Sequence, residues 1–495
     1  MINGYFTHAA IITDNKPVFE KEFANNKTVL EKTVFKQTSQ IGAFTVFDFS
    51  EIKTPGNYKI LYGNIETKPF PVNNNIWLSG IEKSVNLLFG ERCGYEVPGI
   101  HPACHTDWYT VVDGDTLNSA GGWHDAGDLS QGSDNTGDAT QVLFRLARKY
   151  EKTNPQLSKR LLDEGLWGLD WLQRTRFPKG QSLYWTRIDN WTDGKIGTID
   201  DIVGRPEDAG WALSVMANVE AALALKNINP VLAEKSKQID IQDWSYFLKR
   251  NKKVYADSLG RAVYAGTRLY ELTRDEQIKK QTINLADKLI SLQQLEPMRW
   301  TIPLNGFFYM NTDRKSVFSY NHEFLVASPI AGLVELCKLF PKDEKYHKWF
   351  SAVKLHANYL KTIAQVTAPY HMVPAGIFKV GTFVGFERVR QDDADAQIKN
   401  GLKLDEQFYL RNFPVWSQAR GNNPNVLSWG YALAVANQLL KDPEIKYLAQ
   451  TQLEWVVGKN PFGQSQVYGE IFCNYKEVWV HCTARFFQLI DSLEE

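Results

Sequence analysis

The run Gly121-Gly122-Trp123-His124-Asp125-Ala126-Gly127-Asp128 carries the densest chemistry in the chain. Two carboxylates three residues apart, on a glycine-rich backbone that bends sharply, can point into one small space and leave room for a substrate. Like charges held close raise at least one pKa, and an aspartate so placed can take a proton from water. A surface Asx-turn uses the same residue types; the adjoining Gly-Gly-Trp-His is what favours chemistry. Cys93, Cys104, His105 and His124 form a second constellation. This Cys2His2 set offers sulfur and imidazole donors suited to tetrahedral zinc, with His101 an alternative to His105. Four ligands leave no open position for water, so the expected role is a staple. Because His124 adjoins Asp125, that staple would brace the aspartates.

Elements of two textures must position these residues. Through residue 75 the chain shows short β-branched or alternating runs, such as Ala9–Thr13, Ala43–Phe49 and Tyr58–Tyr62, separated by turn signals. This predicts a small β-sandwich over residues 1–75, with the proline- and asparagine-rich run Lys68–Asn75 as linker. Over residues 76–495 apolar residues recur three and four apart. The spacing predicts helices over 78–92, 136–152, 157–175, 207–226, 231–250, 252–273, 276–292, 323–340, 342–364, 427–441, 443–458 and 475–492. Asn154 before Pro155 and Asp442 before Pro443 are expected caps. Paired helices without a fixed-period repeat favour a closed double ring over an open solenoid. Function in such a ring sits on the long loops gathered at one end.

Composition narrows the partners. Lys plus Arg and Asp plus Glu are each 56, so the chain has no net charge and no electrostatic footprint for nucleic acid or an acidic membrane. No apolar run is long enough to span a membrane. Five cysteines cannot form a disulfide framework, and Cys337 reads as core. Aromatics reach 13%, and flat rings stack on sugar faces as well as filling cores. The loop aromatics Tyr184, Trp185, Trp191, Trp300, Phe307, Phe308, Tyr309 and Trp416 are therefore candidates for sugar platforms or for packing. Arg205 can pair with Asp208 or face a sugar hydroxyl, and His322 can meet substrate or simply follow a cap at Asn321.

Gly121–Asp128 resembles the signature of glycoside hydrolase family 9, the inverting cellulase family, in the subgroup with an N-terminal immunoglobulin-like domain before an (α/α)6 barrel. Three further stretches agree in type and order. Glu91-Arg92-Cys93-Gly94 with Ala103-Cys104-His105 is similar to that subgroup's sequence ahead of the signature, and Arg205-Pro206-Glu207-Asp208 to the family's R-P-E-D. Asn460-Pro461-Phe462-Gly463 and Tyr475-Lys476-Glu477-Val478 resemble its N-P-x-G and N-E-V. The resemblance implies a mainly α fold, an (α/α)6 barrel over 76–495 preceded by an immunoglobulin-like sandwich over 1–75. It implies a β-glycan hydrolase in which Asp128 is the general base, Asp125 holds the attacking water and Glu477, at the start of the last helix, is the general acid. Trp123, Trp185, Arg205 and His322 are the substrate-binding candidates. Cys93, Cys104, His105 and His124 would bind a structural zinc, and calcium stays open as a second metal. The expected partner is an oligo- or polysaccharide, the expected state a monomer or weak oligomer. No signal peptide is read at the start, yet the resemblance suggests a secreted or periplasmic setting.

Two departures bear on substrate. Only Gln464–Lys476 separates Gly463 from Glu477, where the family has a long segment with a sugar-gripping histidine–arginine motif, and Lys476 replaces an asparagine. Either another loop supplies those contacts or the sugar subsite is impaired. A glycan-binding or scaffold protein on the same fold is accordingly the alternative reading. A polysaccharide lyase is a further one, which the paired aspartates oppose.

Overall fold

The computed structural model describes the chain except residues 1–7, 12–16, 22–27, 40, 63–64, 74, 107, 113, 127–129, 178–181, 187–203, 208–210, 251–253, 320–324, 383–389, 416–421, 463–466, 469–470, 475–476 and 494–495. The first eight strands are β1 (His8–Ile11), β2 (Pro17–Lys21), β3 (Thr28–Glu31), β4 (Phe35–Ser39), β5 (Gly42–Asp48), β6 (Gly56–Tyr62), β7 (Ile65–Glu66) and β8 (Phe70–Val72). They form one antiparallel sheet in the order β1-β5-β4 and a second in the order β3-β2-β6-β7, with β8 also on β6. Alternation sets the core: Tyr58 and Ile60 of β6 point inward against Phe47, Phe49, Phe70 and Val72. Phe44 faces the other way and meets Tyr370 of the helical region edge to face, ring centres 5.2 Å apart.

Thirteen helices follow among the described residues: α1 (Leu78–Gly90), α2 (Ser133–Tyr150), α3 (Pro155–Arg174), α4 (Trp211–Leu225), α5 (Pro230–Arg250), α6 (Ala256–Thr273), α7 (Glu276–Ser291), α8 (Ser328–Leu339), α9 (Tyr346–Ala364), α10 (Gln391–Lys399), α11 (Asn423–Leu440), α12 (Pro443–Val456) and α13 (Val480–Leu493). Helices α2, α4, α6, α8, α11 and α13 each pack on the next, and α13 packs back on α2, closing an inner ring. Helices α3, α5, α7, α9 and α12 back them from outside. The burial patterns explain the layers. Every residue of α13 from Val480 to Ser492 is buried, whereas α3 buries one stripe, Leu157, Leu161, Glu164, Gly168 and Trp171. Gly168 allows close approach, because a Cβ there would lie 2.2 Å from Thr140 Oγ1 of α2 and 2.4 Å from the Trp123 ring. The expected caps form: Asn154 accepts from the Leu157 N–H, and Asp442 from those of Glu444 and Ile445.

Several helix starts in the expected list shift by three to five residues, and three differences have a clear physical reason. Helix α10 was not anticipated, since only Ala394 and Ile398 of its charged sequence are buried. Helix α2 starts at Ser133, not 136, because its polar first turns are buried against other polar groups. The last helix starts at Val480, so Glu477 does not open it.

The loops also hold short strands: β9 (Tyr109–Val112), β10 (Asp115–Asn118), β11 (Gln131–Gly132), β12 (Ser182–Thr186), β13 (Gly204–Glu207), β14 (Gly376–Lys379), β15 (Leu402–Lys403), β16 (Phe408–Arg411), β17 (Val467–Tyr468), β18 (Ile471–Asn474) and β19 (Glu477–Val478). Glu477 stands in β19 opposite Asn474 of β18, three residues before α13 begins.

Candidate active site and metal cluster

The segment after α1 runs antiparallel to the signature. The Cys93 N–H donates to the Gly122 carbonyl at 2.9 Å and the His124 N–H to the Glu91 carbonyl at 2.8 Å, pairing Arg92 with Trp123. Gly121 and Gly122 take φ of 104° and 68°, and a Cβ on Gly122 would sit 3.0 Å from the Trp171 ring. Only glycine passes there cheaply. This pairing sets Cys93 and His124 side by side, and the 101–105 turn brings in the other two donors.

Cys93, Cys104, His105 and His124 are all buried, with ligand atoms within 4.8 Å of one another. Cys93 Sγ is 3.3 Å from His105 Nδ1, Cys104 Sγ 3.2 Å from His124 Nε2, and the two sulfurs are 4.0 Å apart. His124 turns its Nδ1 to Glu91 Oε2 at 3.6 Å. Contact with Cys93 pulls the Cys104 thiol well below the usual thiol range. Burial pushes His124 down, but Cys104 and Glu91 outweigh it and hold that imidazole at about 9. His101 stays outside the cluster, its nitrogens 3.0 Å from the Gly90 carbonyl and 2.7 Å from that of Pro102. The four residues can hold a metal ion.

Asp125 is 2% exposed and tied at several points. Its N–H donates to the Ser130 carbonyl at 2.6 Å, closing the loop that carries the second aspartate, and its carbonyl accepts from the Val480 N–H at 3.1 Å. The start of the last helix is thereby joined to the signature. Oδ1 accepts from the Asn135 side-chain amide and lies 3.2 Å from His481 Nδ1. The other ring nitrogen of His481 is 3.5 Å from Asp134 Oδ2. Burial pushes the His481 imidazole down, but the two aspartates prevail and raise it to about 10. Burial likewise pushes the Asp134 carboxyl up, and His481 outweighs it, holding Asp134 below its usual value. Asp128 lies outside the described residues, and of Glu477 the backbone alone is described.

The substrate-binding candidates separate. Trp123 is fully buried, donates Nε1–H to Glu164 Oε1 at 2.9 Å and packs on Gly168; it is a wall residue, not a sugar platform, because the G-G-W-H strand presses it against α3. Glu164 also takes a two-point bond from Arg92, at 3.1 and 2.9 Å. Trp185 on β12 is half-buried, its ring against Gly132 at the head of α2, and β12 pairs it with Arg205 of β13. The two therefore stand next to the Asp125–Asp134 corner. The side chain of Arg205 and all of Asp208, Trp191, Trp416 and His322 lie outside the described residues. Trp300 stacks on Phe307 at 5.5 Å, and these with Phe308 and Tyr309 are buried, packing instead of facing solvent. Sequence reasoning missed Asp134, Asn135 and His481. The signal was available in Ser133-Asp134-Asn135 and in a histidine four residues beyond Glu477, but neither run has distinctive spacing.

No helix among the described residues is long and apolar enough to cross a membrane. A search of curated proteins finds no match. Solved structures match along their full length. A metagenome-derived glycoside hydrolase family 9 endoglucanase is 16% identical with a TM-score of 0.69, covering 98% of this chain and 93% of its own. A thermostable endoglucanase variant from Alicyclobacillus acidocaldarius is 16% identical, with a TM-score of 0.66 and coverage of 98% and 96%. A family 9 protein from Bacteroides ovatus is 12% identical, with a TM-score of 0.66 and coverage of 100% and 98%. At such identities the likeness shows the (α/α)6-barrel fold. The family model described as glycosyl hydrolase family 9 matches residues 79–479, and the chain belongs to that family, whose members hydrolyse O-glycosyl bonds.

Proposed function

We propose that the protein cleaves a β-linked glucan or related β-glycan with inversion, Asp128 accepting the proton of the attacking water, Asp125 orienting that water and Glu477 protonating the leaving oxygen. Inversion requires acid and base on opposite faces of the sugar, about 6.5–9.5 Å apart so that water fits between them. The observation that carries the reading is the Val480 N–H bond to the Asp125 carbonyl, which fixes the segment of Glu477 against the signature loop. Trp185 and Arg205, beside the same corner, would meet the sugar. A protein of the same fold is solved with a cellobiose-like isofagomine, which favours an oligosaccharide of that shape.

Cys93, Cys104, His105 and His124 would hold a structural zinc. Tetrahedral coordination at the usual Zn–S and Zn–N lengths separates donors by about 3.3–3.8 Å; the donors here lie 3.2–4.8 Å apart, so small side-chain shifts would bring all four onto one ion. A family 9 endoglucanase variant of this fold is described as zinc-binding. When bound, the ion would supply structure and no chemistry. Glu91 behind His124 would fix that ring. Residues 1–75 would form an immunoglobulin-like domain, consistent with the two sheets of β1–β8.

The test is sugar release from a panel of β-glucans, amino-sugar chains and uronate polysaccharides by the wild type, Asp128→Asn and Glu477→Gln. Release by the wild type with at least about a hundredfold loss in each variant supports the roles. The short Gln464–Lys476 segment favours a second reading, glycan binding without turnover, which binding with no release from any panel member would support.

A further inference from the structure

The two oxygens of the Asp125 carboxylate have unequal surroundings. Oδ1 meets both the Asn135 amide and His481 Nδ1, whereas among the described residues no hydrogen bond or ion pair falls on Oδ2. The opposite nitrogen of His481 lies 3.5 Å from Asp134 Oδ2, an ion-pair contact without hydrogen-bond alignment, and Asp134 Oδ1 accepts from the Asn135 N–H at 2.9 Å. Asp125, His481, Asp134 and Asn135 thus form a closed circuit drawn from the signature loop, the head of α13 and the head of α2. His481, Asp125 and Asp134 are 6%, 2% and 5% exposed. Arg261 of α6 adds positive charge toward Asp134, and the Trp479 ring lies 6.2 Å from the imidazole.

We infer that His481 is a positioning residue for hydrolysis, a rigid bridge between Asp125 and Asp134 that fixes the Asp125 carboxylate by Oδ1 and leaves Oδ2 to receive the attacking water. The inference rests on the reading of Asp125 as the water-orienting residue. Imidazole suits the task because its two nitrogens point in different directions, each able to donate when the ring is charged. An amide carries both donors on one nitrogen and cannot bridge two separate carboxylates in the same way. Two carboxylates this buried also need a positive partner, and the raised pKa of His481 agrees with a charged ring. The residue exchanges no proton in the reaction. Water adds to the anomeric carbon, the bond to the leaving oxygen breaks, the proton of water goes to Asp128 and that of Glu477 to the leaving group.

The test compares His481→Ala, His481→Asn, Asp134→Asn and Asp125→Asn in the full chain, with the panel glycan that the wild type cleaves fastest and p-nitrophenyl β-cellobioside as probes. Expected for His481→Ala and His481→Asn is a kcat lower by about 10–100-fold at unchanged KM, the usual range for loss of a supporting contact. Free imidazole should restore part of the loss in His481→Ala, and Asp134→Asn should lose less. A crystal structure of His481→Asn should show the Asp125 carboxylate turned, a readout that needs no turnover. His481→Ala at wild-type kcat beside an inactive Asp125→Asn overturns the inference alone. Asp125→Asn at wild-type kcat overturns the inference together with the reading it rests on. An unmoved Asp125 carboxylate in the His481→Asn crystal also overturns it.

Discussion

Arg485 and Asp138 lock the last inner helix to the first: Nη2 of Arg485 donates to Asp138 Oδ2 at 2.6 Å, with both side chains buried. Gln488, one turn further on, accepts from Nη1 at 2.7 Å. This bond closes the ring one turn below His481, so the seam that carries Glu477 depends on it. Removing one partner strands the other charge out of water, which costs about 3–5 kcal/mol. Asp138→Ala and Arg485→Met should each lower the unfolding free energy by an amount of that order, read from the shift of the urea midpoint. The double variant should recover part of the loss; equal instability of single and double variants would argue that the pair contributes through packing alone.

Chelation tests the Cys/His cluster separately from catalysis. If the four residues hold zinc, elemental analysis finds one ion per chain and a strong chelator lowers the melting temperature before activity falls. Cys104→Ser should reproduce both effects, since Cys104 touches Cys93 and His124. A chain without zinc whose melting temperature ignores the chelator sinks the proposal.

Gly168 offers a packing test at the back of the signature. A Cβ there would press on Thr140 Oγ1 and on the ring of Trp123. Trp123 is pinned by Glu164, so its ring cannot simply move away. Gly168→Ala should cost about 1–3 kcal/mol through overpacking, despite alanine's better helix propensity. A stabilised variant, read by the same midpoint, would mean that α3 slides freely against α2.

The ring was legible because helical spacing survives in every outer helix, and the caps at Asn154 and Asp442 mark where two of them begin. The donor types of the metal cluster were also legible. The sequence places His105 ahead of His101, and backbone geometry supplies the reason: His105 adopts a left-handed φ of 49°, while carbonyls occupy His101. The polar head of α2 hides its helicity, since Ser133 to Asp138 are buried for the partners they meet and not for apolar character. Glu477 looked helical because its segment runs straight into α13, and only pairing with β18 sets it apart. Trp123 shows the opposite error, a motif aromatic whose ring serves the wall.

The far end of the ring should make the protein acid-labile. Glu220 of α4 is fully buried; Arg268 of α6 donates to it at 2.7 and 3.2 Å, Tyr264 at 3.2 Å, and Arg148 of α2 also donates to it. Burial pushes its carboxyl up, but Arg268, Arg148 and Arg145 outweigh that and hold it at about 2. A carboxyl whose folded pKa is depressed stabilises the fold above its unfolded value of about 4.3. That contribution, roughly 3 kcal/mol, is lost as pH falls toward and through 2. Stability measured by urea midpoint should therefore drop between about pH 4 and pH 2. Glu220→Gln should be less stable at neutral pH and should show a shallower decline over that window. An identical slope in the variant would assign the acid lability to other carboxylates.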